Sequence, residues 1–150
     1  MRRARPGLIP VCCRWRCPFW ACYGMQILAR TLGGRVAGSG EAEYGPADVE
    51  LDPDVPLFRG LPPRQQVWMS HGDRVDRLPD GFRGAARSPA SPVAAMMHPE
   101  KQWYGLQFHP EVSHTPAGTE ILRRFVVDVC GAPRDWTMAV SYTHLRAHET

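Results

Sequence analysis

The segment from Cys22 to Gly34, CYGMQILARTLGG, constrains the fold more than any other part of the chain. Its apolar side chains recur with the spacing of one helical face, and they are Met25, Ile27, Leu28 and Leu32. A Gly-Gly pair follows, and glycine is the usual residue where a helix stops. The segment therefore predicts a helix that the chain enters through a turn at Cys22.

Short strands are predicted for the middle of the chain. Residues 35–63 mix short alternating runs with glycine and proline, the pattern of hairpin strands and loops. Residues 66–70 predict a short strand, and the His-Gly-Asp that follows predicts a tight turn. Residues 91–98 and 102–112 predict two strands joined by a polar Pro-Glu-Lys turn.

A second helix is predicted after these strands. Thr115 is expected to cap its N-terminus, with Pro116 in the first turn and Glu120 as an early acidic residue. Its apolar face is formed by Ile121, Leu122, Phe125, Val126 and Val129. Gly131 is expected to end it.

Composition excludes several classes of protein. The chain has 150 residues, 43% of them hydrophobic, which is enough for the core of one domain. Its 18 basic against 15 acidic residues give a net charge of only +3, too slight to indicate nucleic acid as a partner. No run approaches the roughly 20 apolar residues that span a membrane, and Arg14 and Arg16 interrupt any signal peptide. Five cysteines, an odd number, favour a reducing compartment, so we expect a cytoplasmic protein.

Three short motifs carry reactive groups at predicted strand ends, namely ACYGMQ, MSHGD and QFHPEV. A cysteine at a strand-to-helix turn is exposed by the sharp turn, and the helix N-terminus stabilises its thiolate. On an extended strand, His109 and Glu111 point to the same face, and Pro110 restrains the backbone between them. A cysteine, a histidine and a carboxylate together form the set used for acyl transfer.

Each motif alone also has an ordinary interpretation. A single cysteine at a helix start is often a small buried residue, and His-Pro-Glu can be a solvated strand end. Another alternative is a small zinc or nucleic-acid binding arm, formed by Arg14, Arg16, Cys12, Cys13, Cys17 and Cys22. His144 and His148 have the spacing of a helical metal pair, but no third ligand follows them, so no metal site is expected.

In their order, the motifs CYGMQ, EYG, VWMSHGD, YGLQFHPEVSHT and DWTM make the chain similar to class I glutamine amidotransferases, in particular to their GMP synthase branch. Cys-Tyr-Gly and His-Pro-Glu indicate the superfamily, and Ser-His-Gly-Asp, HPEVSHT and Trp-Thr-Met narrow the resemblance to that branch. The resemblance implies an α/β fold with three layers, α/β/α, around a central, mostly parallel sheet whose N-terminal strands are missing or altered here.

The resemblance also implies a function for individual residues. Cys22 would attack the side-chain amide of glutamine, His109 would act as general base and then acid, and Glu111 would orient His109. The backbone N–H of Tyr23 would donate to the oxyanion. The residues that would bind the substrate are Gln26, Ser70, His71 and Gly72. For His71 an alternative stays open, namely a turn histidine whose hydrogen bonds are satisfied within the protein. Gly45 would shape the pocket wall.

The chain departs from the family pattern at both ends. Trp20 stands where the family has a glycine, which is expected to aggravate packing at the turn, and no Gly-Gly loop for a second oxyanion donor precedes it. Residues 1–20 are therefore interpreted as a frame-shifted segment outside the family, residues 21–138 as a partial amidotransferase domain, and residues 139–150 as a tail resembling adapter read-through.

The resemblance implies partners and leaves alternatives. Ammonia would pass to an ATP-pyrophosphatase domain that uses ATP and Mg²⁺, whose phosphate-loop motif is absent here. No cofactor is expected in this domain, and neither nucleic acid nor membrane is expected as a partner. The alternatives are an inactive or misfolded fragment of the same domain and another class I amidotransferase.

Overall fold

The computed structural model describes residues 18–132 and residue 134. The elements in chain order are β1 (Phe19–Ala21), α1 (Tyr23–Thr31), β2 (Arg35–Leu51), β3 (Arg64–Arg77), β4 (Arg83–Arg87), β5 (Ala95–His98), β6 (Trp103–Leu106) and α2 (Gly118–Arg123), which continues as a π-helix (Arg124–Val129). The Asp-Trp-Thr-Met motif, residues 139–150, the early cysteines and the two late histidines lie outside the described residues.

The strands form one six-stranded sheet in the order β1-β6-β5-β4-β2-β3. β1 and β6 are parallel, and the other paired neighbours are antiparallel. The α/β class is confirmed, but a mostly parallel sheet is wrong for the described residues. The physical reason is the length of the connections: β4, β5 and β6 follow one another through short turns, which join antiparallel strands, whereas parallel neighbours need a long crossover.

Helices cover both faces of the sheet, in agreement with the expected three layers. Successive residues of a strand face opposite sides. In β5, Met96 packs in a cluster with α1, while Met97 packs in a second cluster with α2 and its π-helical continuation. The edge strand β1, which pairs with β6, divides in the same way, because Phe19 contacts Phe125 on one face and Trp20 belongs to the α1 cluster on the other.

Helix α1 is held to the sheet by part of its predicted apolar face, since Ile27 is only half-buried and Leu32 is exposed. Met25, Leu28 and Ala29 are buried. Burial of the Met25 and Leu28 side chains stabilises the fold by about 1.5–3 kcal/mol each. The helix lies so close to β6 that a Cβ on Gly105 would stand 2.9 Å from Cγ of Met25. The predicted stop is confirmed, since α1 ends at Thr31 and Gly33 follows with a φ of 90°.

β2 and β3 form a long two-stranded ribbon rather than the short strands and loops predicted. One end of the ribbon joins the sheet, where Leu51 pairs with Ala86, and the other end packs on α1 through Val75. The predicted His-Gly-Asp turn is wrong, because β3 continues through it and His71 pairs with Glu43. Alternate burial along β3, including Val67, Met69, His71 and Val75, keeps the strand extended.

The C-terminal predictions are partly confirmed. β5 and β6 are antiparallel neighbours joined at the predicted turn. The second helix exists, but Ala117 and not Thr115 occupies its N-cap position, because the Thr115 hydroxyl is bonded elsewhere. Among the described residues, no helix has the length and apolar character needed to cross a bilayer.

Candidate active site

Cys22 occupies a strained turn between β1 and α1. Its φ of 47° and ψ of −114° lie in a region that side chains rarely adopt. The turn is held from both sides, because Ala21 pairs with Leu106 in the sheet and the Cys22 N–H donates to the carbonyl of the same Leu106 at 2.7 Å. The geometry is that of a nucleophile elbow, which presents a side chain above the end of a sheet.

The thiol of Cys22 is only partly exposed. Sγ donates to the backbone carbonyl of Ser70 at 3.5 Å. Burial raises the pKa of the Cys22 thiol, a hydrogen bond from the Tyr23 backbone lowers it, the charge of Glu111 raises it, and the net change is upward. The N–H at the helix N-terminus thus favours the thiolate, but desolvation outweighs this one local donor, and the sulfur needs a base to take its proton.

His109 and Glu111 form a close pair beyond the end of β6. Nδ1 of His109 and Oε1 of Glu111 are 2.7 Å apart, with the histidine side chain 24% exposed and the carboxylate 55% exposed. The predicted extended strand is wrong here, since β6 ends at Leu106 and a turn follows. The carboxylate accepts the Nδ1 proton and leaves Nε2 of His109 for proton exchange.

Thr115 fixes the backbone of His109. Its hydroxyl donates to the carbonyl of His109 at 2.6 Å and accepts the backbone N–H of Trp68 at 3.0 Å. The N–H of His109 in turn donates to the carbonyl of Trp68 at 3.0 Å. Because Thr115 is only 3% exposed, these bonds are shielded from water and tie the turn to β3.

Helix α2 presses directly against the same turn. A Cβ added to Gly118 would stand 1.9 Å from the carbonyl oxygen of Pro110, far inside any contact distance. The absence of a side chain at the first residue of α2 therefore lets the helix touch the backbone between His109 and Glu111.

The β2–β3 ribbon brings both halves of the site together. The carbonyl of Ser70 contacts Cys22, and the carbonyl of Trp68, two residues earlier on β3, contacts His109. Glu111 is near enough for its charge to act on the Cys22 thiol. The structure thus collects the predicted nucleophile, base and carboxylate around one stretch of β3.

Two buried amides lie beneath Cys22. Gln26, 7% exposed, donates from Nε2 to the carbonyl of Asp73 at 2.8 Å and to Oε1 of Gln107 at 3.2 Å. Gln107, 0% exposed, directs its own Nε2 at Sγ of Cys22 at 3.9 Å. The amide hydrogens of Gln26, a predicted substrate residue, are therefore used inside the protein.

The other predicted substrate residues divide into surface and interior. Ser70 and Gly72 are exposed, whereas His71 is buried. Nδ1 of His71 donates to the carbonyl of Asp73 at 2.9 Å, and Nε2 lies 3.0 Å from Oε2 of Glu43. Both of those last two atoms are buried, and they lie within ion-pair distance of each other. The ring of His71 thus faces protein groups, which favours the interpretation as a satisfied histidine.

Two further predicted positions, Tyr23 and Gly45, border the site together with Tyr44. Tyr23 contributes its backbone N–H beside Sγ, while its side chain is 70% exposed. The exposed Tyr44 extends its phenol towards Gly72, 3.8 Å from where a Cβ would be. Gly45 next to it pairs with Met69 of β3 and has a φ of 97°, a conformation that favours glycine.

Trp20 is accommodated without the expected crowding. Its ring packs edge-on against Trp103, with 5.6 Å between ring centroids. A Cβ on Gly24 would only just touch the Trp20 side chain, at 3.4 Å. The absence of a side chain at Gly24 on α1 therefore leaves room for the Trp20 ring.

Sequence reasoning missed Gln107 and assigned Thr115 to a different task. The signal for Gln107 was an amide inside the apolar run from Tyr104 to Phe108, since a buried polar group must find a partner. No local signal pointed to the bond between Thr115 and Trp68, because that bond depends on the return of the chain to β3. No group of three or more histidine, cysteine or acidic side chains that could hold a metal occurs within residues 18–132.

The chain matches known proteins over the same region. The family model for glutamine amidotransferase class-I matches residues 16–129. GMP synthase [glutamine-hydrolyzing] of Thermomicrobium roseum is 60% identical over 116 residues, which cover 77% of this chain and 22% of the relative. The enzyme of the same name from Lactobacillus delbrueckii subsp. bulgaricus is 52% identical over 118 residues, 78% of this chain and 23% of the relative.

Solved structures agree with the sequence comparisons. A crystal structure described as that of a GMP synthase subunit from Thermoplasma acidophilum is 32% identical with a TM-score of 0.71, covering 86% of this chain and 60% of that one. A glutamine amidotransferase from Thermotoga maritima is 31% identical with a TM-score of 0.57, covering 74% and 45%. The chain spans less than a quarter of the curated relatives quoted, 22% and 23% of their lengths. On the family match and the geometry around Cys22, the chain belongs to the class I glutamine amidotransferases.

Proposed function

We propose that this chain is a glutaminase domain of GMP synthase, which hydrolyses glutamine to supply ammonia for the conversion of XMP to GMP. The observation that carries the proposal is the strained elbow of Cys22 and the His109–Glu111 pair bonded to one stretch of β3. The sequence identities to GMP synthases favour this branch of the family over other class I amidotransferases.

In the first half of the reaction, Nε2 of His109 takes the thiol proton of Cys22, since the raised pKa of that thiol leaves it protonated near neutral pH. The sulfur attacks the side-chain amide carbon of glutamine, and the carbonyl oxygen becomes an oxyanion. The backbone N–H of Tyr23 donates to that oxyanion. His109 then returns the proton to the leaving nitrogen, which departs as ammonia and leaves a γ-glutamyl thioester on Cys22.

In the second half, His109 takes a proton from water while the oxygen attacks the thioester carbon. The carbon–sulfur bond breaks, glutamate leaves, and the proton returns to Cys22. Glu111 remains bonded to Nδ1 throughout and stabilises the imidazolium.

The head group of glutamine binds along the exposed edge of β3. Ser70 and Gly72 are exposed there, beside the exposed phenol of Tyr44. Backbone and hydroxyl groups suit the α-amino and α-carboxyl groups of a zwitterion. His71 shapes this edge from the interior, and Gln26 supports it through the Asp73 carbonyl.

The ammonia acceptor is a synthetase domain that binds ATP and Mg²⁺. The glutaminase domain formed by this chain uses no cofactor. The curated relatives are more than four times as long as the matched region, which leaves room in them for such a domain.

A glutaminase assay on the intact chain tests the chemistry. We expect ammonia release that Cys22→Ala abolishes, because the nucleophile is lost. Cys130→Ala is the matched control, since Cys130 is a buried cysteine on the other face of the sheet. Equal activity in the protein with and without Cys22 would contradict the assignment.

A coupling assay tests the branch of the family. Adding a separately produced ATP-pyrophosphatase domain of a GMP synthase, with XMP, ATP and Mg²⁺, should yield GMP from glutamine. Glutamine hydrolysis without amination of XMP, under conditions where free ammonia supports it, would instead favour another class I amidotransferase.

A further inference from the structure

The buried amide of Gln107 lies within hydrogen-bonding distance of the Cys22 sulfur. Nε2 of Gln107 stands 3.9 Å from Sγ, and the Gln107 side chain is inaccessible to solvent at 0% exposure. A buried amide hydrogen must bond to some acceptor. A backbone carbonyl is the usual partner, so direction towards a cysteine sulfur is notable.

The orientation of this amide follows from its neighbours. The carbonyl of Asp73 can only accept, so the atom of Gln26 that faces it at 2.8 Å must be the NH₂ group. That same NH₂ lies 3.2 Å from the Gln107 side chain, which must therefore present its oxygen there. Consequently the NH₂ of Gln107 points at Cys22.

The bond matters more for the thiolate than for the thiol. As a thiol, Sγ donates its hydrogen to the carbonyl of Ser70. As a thiolate it loses that bond and faces the carbonyl with a lone pair, while the N–H of Gln107 becomes a charge-assisted donor. Burial and the charge of Glu111 both raise the pKa of Cys22, so donors are needed to offset them.

We propose that Gln107 is a further catalytic residue, whose amide N–H stabilises the Cys22 thiolate, and that Gln26 is a positioning residue that locks this amide through the Asp73 carbonyl. The inference rests on the proposed role of Cys22 as nucleophile. Gln26 therefore has two roles: it supports the edge of β3 where the glutamine head group binds, and it orients the Gln107 amide.

Alkylation of Cys22 by iodoacetamide in the intact chain tests the proposal without glutamine. The rate is followed from pH 6 to 10 by mass spectrometry of the peptide that contains Cys22, which separates it from the other cysteines. In Gln107→Met, which keeps the length but lacks a donor, the midpoint should rise by about one pH unit, making alkylation about tenfold slower at pH 7.

Gln65→Met is the matched control, because it makes the same change of side chain at a position remote from Cys22. Gln65 lies on β3 and donates to the carbonyl of Pro62. Its profile should equal that of the unmodified protein. Gln26→Met should shift the midpoint in the same direction by a smaller amount, since the Gln107 amide is then free to turn. An unchanged profile in folded Gln107→Met overturns the proposal.

Folding is checked by a melting curve followed by circular dichroism. If Gln107→Met lacks a cooperative transition, Gln26→Met decides, and an unchanged profile there overturns the proposal. The two hypotheses fail separately. Retained glutaminase activity in Cys22→Ala removes the proposed function, whereas an alkylation profile that ignores Gln107 removes this inference alone.

Discussion

The two halves of the candidate site are held in place by different means. Cys22 is set by its own backbone, in a strained conformation clamped between a paired strand and a buried helix. The His109–Glu111 pair has no positive φ and lies partly in solvent, but groups outside the pair fix it: the carbonyl of Trp68, the hydroxyl of Thr115 and the bare face of Gly118.

The difference teaches how far each half depends on the rest of the molecule. The elbow depends on a strained backbone conformation of Cys22 itself, which Leu106 holds in place. The base has no such strain and depends on hydrogen bonds and a close contact from other residues. Substitutions should therefore damage the two halves in distinguishable ways.

The largest effect is expected from Gly118→Ala. The new methyl group would collide with the Pro110 carbonyl, so either α2 or the His109 turn must move. We expect a loss of about 1–3 kcal/mol in the free energy of unfolding and a decrease of about 10²-fold in glutamine turnover. Gly84→Ala in β4 is the control, since open space surrounds that position. Chemical denaturation and the glutaminase assay measure both; equal behaviour of the two variants would show that the contact is not needed.

Thr115→Val should have the next largest effect. Valine keeps the shape but leaves the Trp68 N–H and the His109 carbonyl without their shared hydroxyl. An unsatisfied buried group costs about 1–3 kcal/mol, and the loosened turn should lower kcat about tenfold with little change in KM.

Thr115→Ser is the matched variant, because it retains the hydroxyl. It should restore most of kcat and most of the stability. Failure of serine to rescue would mean that the threonine acts by packing alone.

A smaller effect on stability is expected when glycine is compared with alanine at Cys22 and at His109, with opposite signs at the two positions. Because the φ of 47° at Cys22 strains any residue with a side chain, Cys22→Gly should be more stable than Cys22→Ala by about 1 kcal/mol. At His109, where φ is not positive, glycine should be less stable than alanine by about 0.5–1 kcal/mol. Urea unfolding of the four variants measures this, and the same sign at both positions would erase the contrast.

The smallest effect is expected on the alkylation rate of Cys22 in Glu111→Gln. The carboxylate charge raises the pKa of Cys22, so its removal lowers that pKa and leaves more thiolate at a given pH. Alkylation of Cys22 at pH 7 should become a few-fold faster, since the Coulomb energy between partly solvated charges is about 1 kcal/mol. Turnover should nevertheless fall, because His109 loses its anionic partner. Slower alkylation would contradict the assigned sign.

Much of the fold could be predicted from local patterns. The helix after Cys22, its stop at Gly33 and the β5–β6 hairpin all follow from periodicity and turn residues, and the structure has them. The parallel sheet, the turn at His-Gly-Asp and the capping role of Thr115 were wrong. Each of these depends on partners distant in sequence: strand order, the pairing of His71 with Glu43, and the return of the chain to Trp68.

The site was predictable to a similar extent. The motifs pointed to Cys22, His109 and Glu111, and the structure brings these residues together. The thiol environment was not predictable, because it depends on burial and on amides from two elements. The roles of all these residues remain predictions until the variants are measured.

The β2–β3 ribbon also predicts the order in which the parts of the site form during folding. Cys22 and His109 are far apart along the chain, and each is bonded to a backbone carbonyl of β3. A hairpin of neighbouring strands closes through local contacts, which form quickly compared with distant ones. The ribbon is then a template on which nucleophile and base are assembled last. The amide hydrogen of His109, bonded to the Trp68 carbonyl, should accordingly gain protection from exchange later in refolding than the amides within the ribbon.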